Sequence, residues 1–165
     1  TSQDMHVAGY VQEAAKGLII IVNKWDLVEE KDLPAWNRKI KSEFKFASYA
    51  PILYTSAKTG QGVNKIMPQV TLIYQERQKR LSTSTVNDVI QQAVASHNRP
   101  TSRGKQLKVF YATQAETNPP TFVFFTNDAK LVHFSYRRFL ENTIRKAFGF
   151  TGTPIRLNFK TRGEE

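Results

Sequence analysis

The first half of the chain alternates between apolar residues at helical spacing and short runs that are continuously apolar. Four residues three or four positions apart predict a helix over residues 3–16: Met5, Ala8, Val11 and Ala15. Gly17 ends that helix, and residues 18–22 then form an apolar run typical of parallel strands buried on both faces. Residues 51–55 have the same character and predict a second buried strand.

Helices are predicted between and after these two strands. Pro34 suits the first turn of a second helix, whose apolar face holds Trp36, Ile40 and Phe44. A third helix is predicted to begin near Asn64 and to end at about Arg80. This alternation predicts an α/β fold with a parallel sheet. Two strands are too few for a stable open sheet, so we expect further strands upstream of Thr1.

The second half of the chain has a different order of elements. A capping-box pattern at residues 85–88 predicts the start of a helix with five apolar residues on one face: Val86, Val89, Ile90, Ala93 and Val94. A polar loop is predicted next, at residues 97–105. Two strands follow at 107–115 and 121–127, joined by a turn at 118–120. A helix at 135–148 and a last strand at 155–160 complete this half. The order α-β-β-α-β predicts a small α+β domain. We therefore expect two domains, residues 1–81 and residues 82–165.

The net charge of the chain indicates one class of binding partner. The chain has 24 Lys and Arg against 14 Asp and Glu, a net charge of +10, with a net +4 in residues 1–80 and +6 in residues 81–165. An excess of this size favours polyanionic partners, although a solubilising surface explains it equally well. The absence of cysteine excludes disulfide scaffolds, Cys-ligated zinc and thiol nucleophiles.

The motif that carries chemistry follows directly on the first predicted strand. Asn23, Lys24 and Asp26 stand at its carboxyl end, where open α/β sheets bind their ligands. A carboxylate at this position can accept two parallel hydrogen bonds from the ring N–H and the amino group of guanine, which adenine cannot offer. The Asn amide can meet the other edge of the base, and the Lys stem can lie across it.

A second motif ends the next strand. Ser56, Ala57 and Lys58 are expected at the same edge of the sheet, where a backbone N–H can meet the guanine carbonyl oxygen. The alternative is structural, with an Asx turn at Asn23 and Asp26 and a helix N-cap at Ser56.

These motifs resemble the fourth and fifth nucleotide motifs of Ras-like GTPases of the translation-factor class. The second half is similar to the C-terminal domain of the EngA/Der family of bacterial double GTPases in Gln114, PPTFVFF at 119–125, HFSYRRFLEN at 133–142 and FGFTGTPI at 148–155. The resemblance covers essentially the whole chain. It implies the last part of a second, Ras-like GTPase domain, followed by a KH-like domain.

The resemblance also implies a function and its partners. Family members bind and hydrolyse GTP, use GTP/GDP and Mg²⁺, and act in assembly of the large ribosomal subunit. The expected partners are that subunit with its rRNA, and the GTPase domains of the same polypeptide. The expected location is the bacterial cytoplasm or a plastid, and no membrane partner is expected. The chain has neither the Gly-x-x-x-x-Gly-Lys-Ser/Thr phosphate loop nor an Asp-x-x-Gly magnesium segment, which in the family lie upstream. We therefore assign no catalytic or metal-binding residue here, and expect little GTP binding and no hydrolysis by these 165 residues alone.

Five basic residues and one asparagine of the second half are candidates for contact with RNA phosphates or with a partner. We select six residues: Arg99, Arg103, Lys105, Arg138, Asn142 and Arg145. The alternative is a solvated charged face, or a contact with an adjoining GTPase domain. The GFTG sequence at 149–152 has the letters of a KH phosphate clamp, but it lies between a helix and a strand, which favours a helix C-cap and loop. Five aromatic residues are either stacking platforms for bases or core: Phe110, Tyr111, Phe122, Phe124 and Phe125.

Two functions therefore remain open on the sequence. In the first, the chain completes a nucleotide switch that couples GTP to the ribosome. In the second, it is a non-enzymatic RNA- or ribosome-binding module with a vestigial GTPase part.

Overall fold

A computed structural model describes residues Thr1–Gly163. They form two compact units. The first comprises Thr1–Arg77 with Phe150–Pro154, and the second comprises Gln78–Gly149 with the residues from Ile155 onward. The sequence predicts one boundary, between residues 81 and 82, whereas the chain in the structure leaves the first unit at Arg77 and returns to it for five residues. Within the described residues, no helix combines the length and apolar character needed to cross a bilayer.

The first unit contains three helices around a pair of strands. The elements in chain order are α1 (Ser2–Glu13), β1 (Ile20–Val22), α2 (Leu33–Glu43), β2 (Ile52–Tyr54) and α3 (Ile66–Gln78). Strands β1 and β2 are parallel, with Ile20 opposite Ile52 and Val22 opposite Tyr54. The predicted parallel α/β character is confirmed.

The helix ends of this unit follow from local chemistry. The Asp32 carboxylate caps α2 by accepting a hydrogen bond from the Ala35 N–H (3.0 Å), and Pro34 lies in the first turn as predicted. Helix α1 ends at Glu13, so its predicted extension to residue 16 is wrong. Ala15 has a left-handed backbone, with φ of 51°, which turns the chain toward β1, and its side chain is buried.

The segment Phe150–Pro154 is built into the first unit at the amino ends of its strands. The Leu18 N–H, just before β1, donates to the Gly152 carbonyl oxygen (2.8 Å). The Gly152 N–H donates to the carbonyl oxygen of Tyr49, just before β2 (2.9 Å). Phe150 is fully buried, so this segment is part of the core and not a surface loop.

The second unit is a three-stranded sheet with two helices and a small hairpin. Its elements are α4 (Thr83–Ser96), β3 (Thr101–Ser102), β4 (Lys105–Gln106), β5 (Val109–Glu116), β6 (Thr121–Thr126), α5 (Phe134–Phe148) and β7 (Arg156–Thr161). Strand β6 is central, antiparallel to β5 and parallel to β7. The α-β-β-α-β order is confirmed, with β3 and β4 added between α4 and β5. The core is formed by apolar side chains from both helices and the sheet, including Val86, Ile90, Phe122, Phe124, Leu140, Ile144 and Leu157.

Two local predictions in this unit are wrong. Helix α4 begins at Thr83 and not at the predicted capping box, because the Ser82 hydroxyl accepts the cap hydrogen bond from the Thr85 N–H (3.2 Å). The predicted polar loop contains the hairpin β3–β4, whose two-residue turn at Arg103 and Gly104 has φ of 49° and 75°. Two left-handed residues in succession are what a tight hairpin of this kind requires.

Candidate nucleotide-binding site

The two predicted guanine loops meet at the carboxyl edge of the β1–β2 pair. Backbone hydrogen bonds continue past the ends of the strands: the Thr55 N–H donates to the Val22 carbonyl oxygen (2.9 Å), and the Trp25 N–H donates to the Thr55 carbonyl oxygen (2.9 Å). The residues that follow β1 are therefore held against the residues that follow β2.

Side chains then join the two loops directly. The Ser56 hydroxyl donates to Asp26 Oδ1 (2.5 Å), and the same hydroxyl accepts from the Thr59 N–H (3.2 Å). The Ala57 N–H donates to Asn23 Oδ1 (3.0 Å). These bonds orient the Asp26 carboxylate and direct the acceptor end of the Asn23 amide into the loop. The donor end of that amide, Nδ2, is the end that can meet an acceptor on a ligand.

A cavity of about 350 Å³ lies between the loops, and its walls comprise Asn23, Lys24, Asp26, Leu27, Ala57 and Lys58. Five of the six predicted guanine-binding residues thus face one space. The sixth, Ser56, is fully buried and acts on this space through its hydrogen bond to Asp26. Lys24 has a left-handed backbone, with φ of 61°, at the point where the loop leaves β1.

The electrostatics of the cavity favour an ionised carboxylate. The hydrogen bond from Ser56 is the largest cause that lowers the pKa of Asp26 below its ordinary value, and Lys58 and Lys31 lower it further. Partial desolvation opposes these effects without reversing them. Asp26 is therefore negatively charged at neutral pH and can only accept hydrogen bonds.

Two contributors to this site were not predicted from the sequence. Leu27 is 69% exposed and forms an apolar wall of the cavity beside Asp26. Trp25 is only 4% exposed, and its ring lies 4.4 Å from Tyr54 and 5.5 Å from Trp36, measured between centroids. The available signal was a large aromatic residue at the variable position of the motif, three residues after the end of β1. Trp25 anchors the loop in the core.

The basic candidates of the second unit are only partly brought together. Arg138 and Asn142 line one groove between α4 and α5, of about 1020 Å³, together with Lys146, His97 and Phe134. His97 stacks on Phe139 there, with 3.7 Å between ring centroids. Lys146 was not predicted, although its spacing of four from Asn142 places it on the same helix face.

The other four candidates lie elsewhere in that unit. Arg145 forms an ion pair with Glu141 (3.0 Å), and Lys105 pairs with Asp128 (3.3 Å). Arg103 is in the hairpin turn, and Arg99 lines a separate cavity with Lys108 and Phe110. The six candidates are therefore divided among several separate places in this unit.

The structure also separates the open alternatives for the GFTG sequence and for the aromatic residues. Gly149 is the C-cap of α5, which confirms the interpretation of GFTG as a helix cap and loop. Phe122 and Phe124 are fully buried core residues, whereas Phe110 and Tyr111 are exposed and Phe125 is partly exposed.

Comparison with known proteins identifies relatives over nearly the whole chain. The family model described as the KH-domain-like domain of EngA bacterial GTPase enzymes, C-terminal, matches residues 80–160. GTPase Der of Leuconostoc citreum is 52% identical over 162 residues, and GTPase Der of Geobacillus kaustophilus is 51% identical over 162 residues. GTPase Der of Lactococcus lactis subsp. cremoris is 52% identical over 161 residues. These alignments cover 96–97% of the chain and 37% of each relative.

Fold and site together define the class as part of a GTPase domain followed in the chain by a KH-like domain. Within that class, the chain belongs to the EngA/Der family of bacterial GTPases and corresponds to its C-terminal part. It spans a little over one third of the length of the curated relatives that it matches.

Proposed function

We propose that this chain supplies guanine recognition to a protein that binds and hydrolyses GTP and assists assembly of the large ribosomal subunit. The observation that carries the proposal is the cavity in which Asn23, Lys24 and Asp26 face Ala57 and Lys58. Relatives at about 50% identity are named GTPase Der, which supports GTP as the nucleotide.

The chemistry of the cavity suits guanine better than adenine. The Asp26 carboxylate accepts from the ring N–H and the exocyclic amino group, both of which are donors in guanine. Asn23 Nδ2 donates to the opposite edge of the base, and Leu27 and the Lys24 stem cover its faces. The Ala57 N–H donates to Asn23 Oδ1 in this structure, so a guanine carbonyl oxygen competes with Asn23 for that hydrogen.

In the family, the motifs for phosphate and metal chemistry precede the part to which this chain corresponds. The sequence has no phosphate-binding loop, and among residues 1–163 no group of three or more His, Asp or Glu side chains could hold a metal ion. Family membership implies Mg²⁺ with GTP, and we propose no ligand for it among residues 1–163. The role of these residues in hydrolysis is to hold the base, and so to set which nucleotide is hydrolysed.

Exchange of one carboxylate for an amide tests this assignment. In the full-length protein, Asp26→Asn should weaken GTP binding by at least tenfold and improve XTP binding, because xanthine has an acceptor where guanine has its amino group. Isothermal titration with GDP and XDP provides the two dissociation constants. Glu29→Gln, an exposed carboxylate three residues further on, is the matched control and should change neither constant. Unaltered GDP and XDP affinities in Asp26→Asn would exclude Asp26 as the guanine reader.

A second role, RNA or ribosome contact by the KH-like unit, is supported by the α4–α5 groove. Arg138, Asn142 and Lys146 line that groove with no acidic residue among its lining side chains. Docking of the GTPase domains of the same polypeptide is the alternative use of the groove. If the GTPase part is vestigial, RNA binding is the whole function, and it will not respond to nucleotide.

Charge reversal distinguishes RNA contact from a merely solvated surface. Arg138→Glu should weaken binding to large-subunit rRNA severalfold at low salt, since phosphate contacts depend on counterion release. Lys41→Glu, the same charge change on α2 of the first unit, is the control and should have less than a twofold effect. Filter binding at two salt concentrations measures both variants. Equal losses in the two variants would show that only net charge matters.

A further inference from the structure

The sheet of the second unit has two faces of different character. Along the strands, alternate residues point to the helices and form the core: Ala112, Gln114, Phe122, Phe124 and Leu157. The intervening residues form the outer face, which we define as Tyr111, Thr113, Val123, Phe125, Asn158 and Lys160. Every one of these six residues is exposed or partly exposed.

Two aromatic rings lie side by side on the outer face. Tyr111 of β5 is directly opposite Phe125 of β6, and their rings are nearly parallel, at 10° and 4.8 Å between centroids. Tyr111 is 39% exposed, although aromatic side chains on a small sheet are ordinarily covered. Lys160 of β7 is paired with Phe125, so Tyr111, Phe125 and Lys160 form one row across the sheet.

Positive charge borders these rings. Arg162 follows β7, and its guanidinium lies over the ring of Phe110, 5.4 Å from the centroid. Arg156 and Lys160 are exposed on β7, whereas Glu116, at the end of β5, is the one acidic residue in the three strands. An exposed aromatic surface bordered by cations is complementary to a strand that presents both bases and phosphates.

We propose that the outer face of this sheet binds single-stranded RNA, with unpaired bases stacked on Tyr111 and Phe125 and phosphates contacted by Lys160 and Arg162. The choice of RNA over DNA rests on the proposed ribosomal role, whereas the stacking geometry is independent of it. This surface is distinct from the α4–α5 groove, with which it shares no lining residue. A duplex cannot use the outer face in this way, because its bases are already stacked on each other.

Substitutions that keep apolar bulk and remove the aromatic face test the proposal. Phe125→Leu and Tyr111→Leu in the full chain are compared with Tyr74→Leu, which removes an aromatic ring that is 63% exposed on α3 of the first unit. The probes are fluorescein-labelled ten-nucleotide oligouridylate and oligoadenylate RNA, the matching DNA strands, and a blunt RNA duplex. Fluorescence anisotropy gives the dissociation constants, and thermal melting of each variant verifies folding.

The expected result is about tenfold weaker binding of single-stranded RNA by each sheet variant, with little change for the duplex or for Tyr74→Leu. Lys160→Glu should also weaken binding and reduce its salt dependence. Binding within twofold of the unmodified protein in both folded sheet variants would overturn the proposal. Equal affinity for the matching DNA would overturn the choice of RNA. A loss in Arg138→Glu without any loss in the sheet variants would retain RNA binding as a function and assign it to the groove.

Discussion

Asp26 and Ser56 lie thirty positions apart in the sequence and are joined by a hydrogen bond of 2.5 Å. The bond gives Ser56 a structural role at the edge of the candidate guanine cavity. Ser56 is fully buried, and its hydrogen bond orients a carboxylate that lines the candidate guanine cavity. It also holds that carboxylate in its charged form, since the bond from Ser56 lowers the pKa of Asp26.

Removal of this hydroxyl should change the titration of Asp26. The pKa of Asp26 is lower in the folded state than in the unfolded state, so ionised Asp26 stabilises the fold. This stabilisation is complete above the unfolded-state pKa and is lost as the pH falls through the folded-state pKa. Ser56→Ala should raise the folded pKa toward the ordinary value, so that part of this acid-dependent loss disappears. Carboxyl NMR titration measures the effect.

The control for this titration is Ser42→Ala on α2, where the hydroxyl donates to the Lys39 carbonyl oxygen and contacts no carboxylate. It should leave the pKa of Asp26 unchanged. An Asp26 pKa that is identical in Ser56→Ala and in the unmodified chain would contradict the assigned cause.

At the scale of elements, local chemistry accounts for what could be predicted. Helix α2 followed from Pro34 and from the helical spacing of the apolar residues after it, because a first-turn proline and periodicity are signals contained in neighbouring residues. The start of α4 was misplaced because hydroxyls at both Ser82 and Thr85 suit an N-cap, and spacing alone does not choose between them. The hairpin β3–β4 has strands of two residues, too short to show any periodicity.

The position of the Phe150–Pro154 segment could not be predicted, because it depends on contacts with residues distant in sequence. Gly152 has φ of 74°, and a Cβ there would overlap the Ile73 side chain of α3. Arg77 donates to the Thr153 hydroxyl (2.8 Å) in the same region. No local pattern indicates that a loop after α5 completes the core of the first unit.

Gly152→Ala should therefore destabilise the first unit by about 2–4 kcal/mol, from backbone strain and steric overlap together. Gly60→Ala is a close control, since Gly60 has φ of 80° but a Cβ there would meet nothing within 4 Å. Its cost should be limited to the strain, about 1–2 kcal/mol. Urea unfolding followed by tryptophan fluorescence reports on this unit, which contains Trp25 and Trp36. Equal losses in the two variants would show that the contact with Ile73 contributes nothing.

At the scale of the whole molecule, each unit carries its own candidate surface. The first has the guanine cavity at the carboxyl edge of β1 and β2, while Phe150–Pro154 occupies the amino ends of the same strands. The second has the α4–α5 groove and the outer face of its sheet. The cavity was largely predictable because its residues follow strands of recognisable pattern. The sequence did not predict which aromatic residues of the second unit are core and which are exposed, because their burial depends on the register of three strands.

The most direct test of guanine recognition needs no substitution. The affinities of the full-length protein for GDP and IDP are compared by isothermal titration, since hypoxanthine keeps the ring N–H and the carbonyl of guanine but lacks its amino group. If Asp26 accepts hydrogen bonds from both donors, IDP should bind at least about tenfold more weakly than GDP at the site that the Asp26→Asn titration identifies. Equal dissociation constants for GDP and IDP would contradict the account.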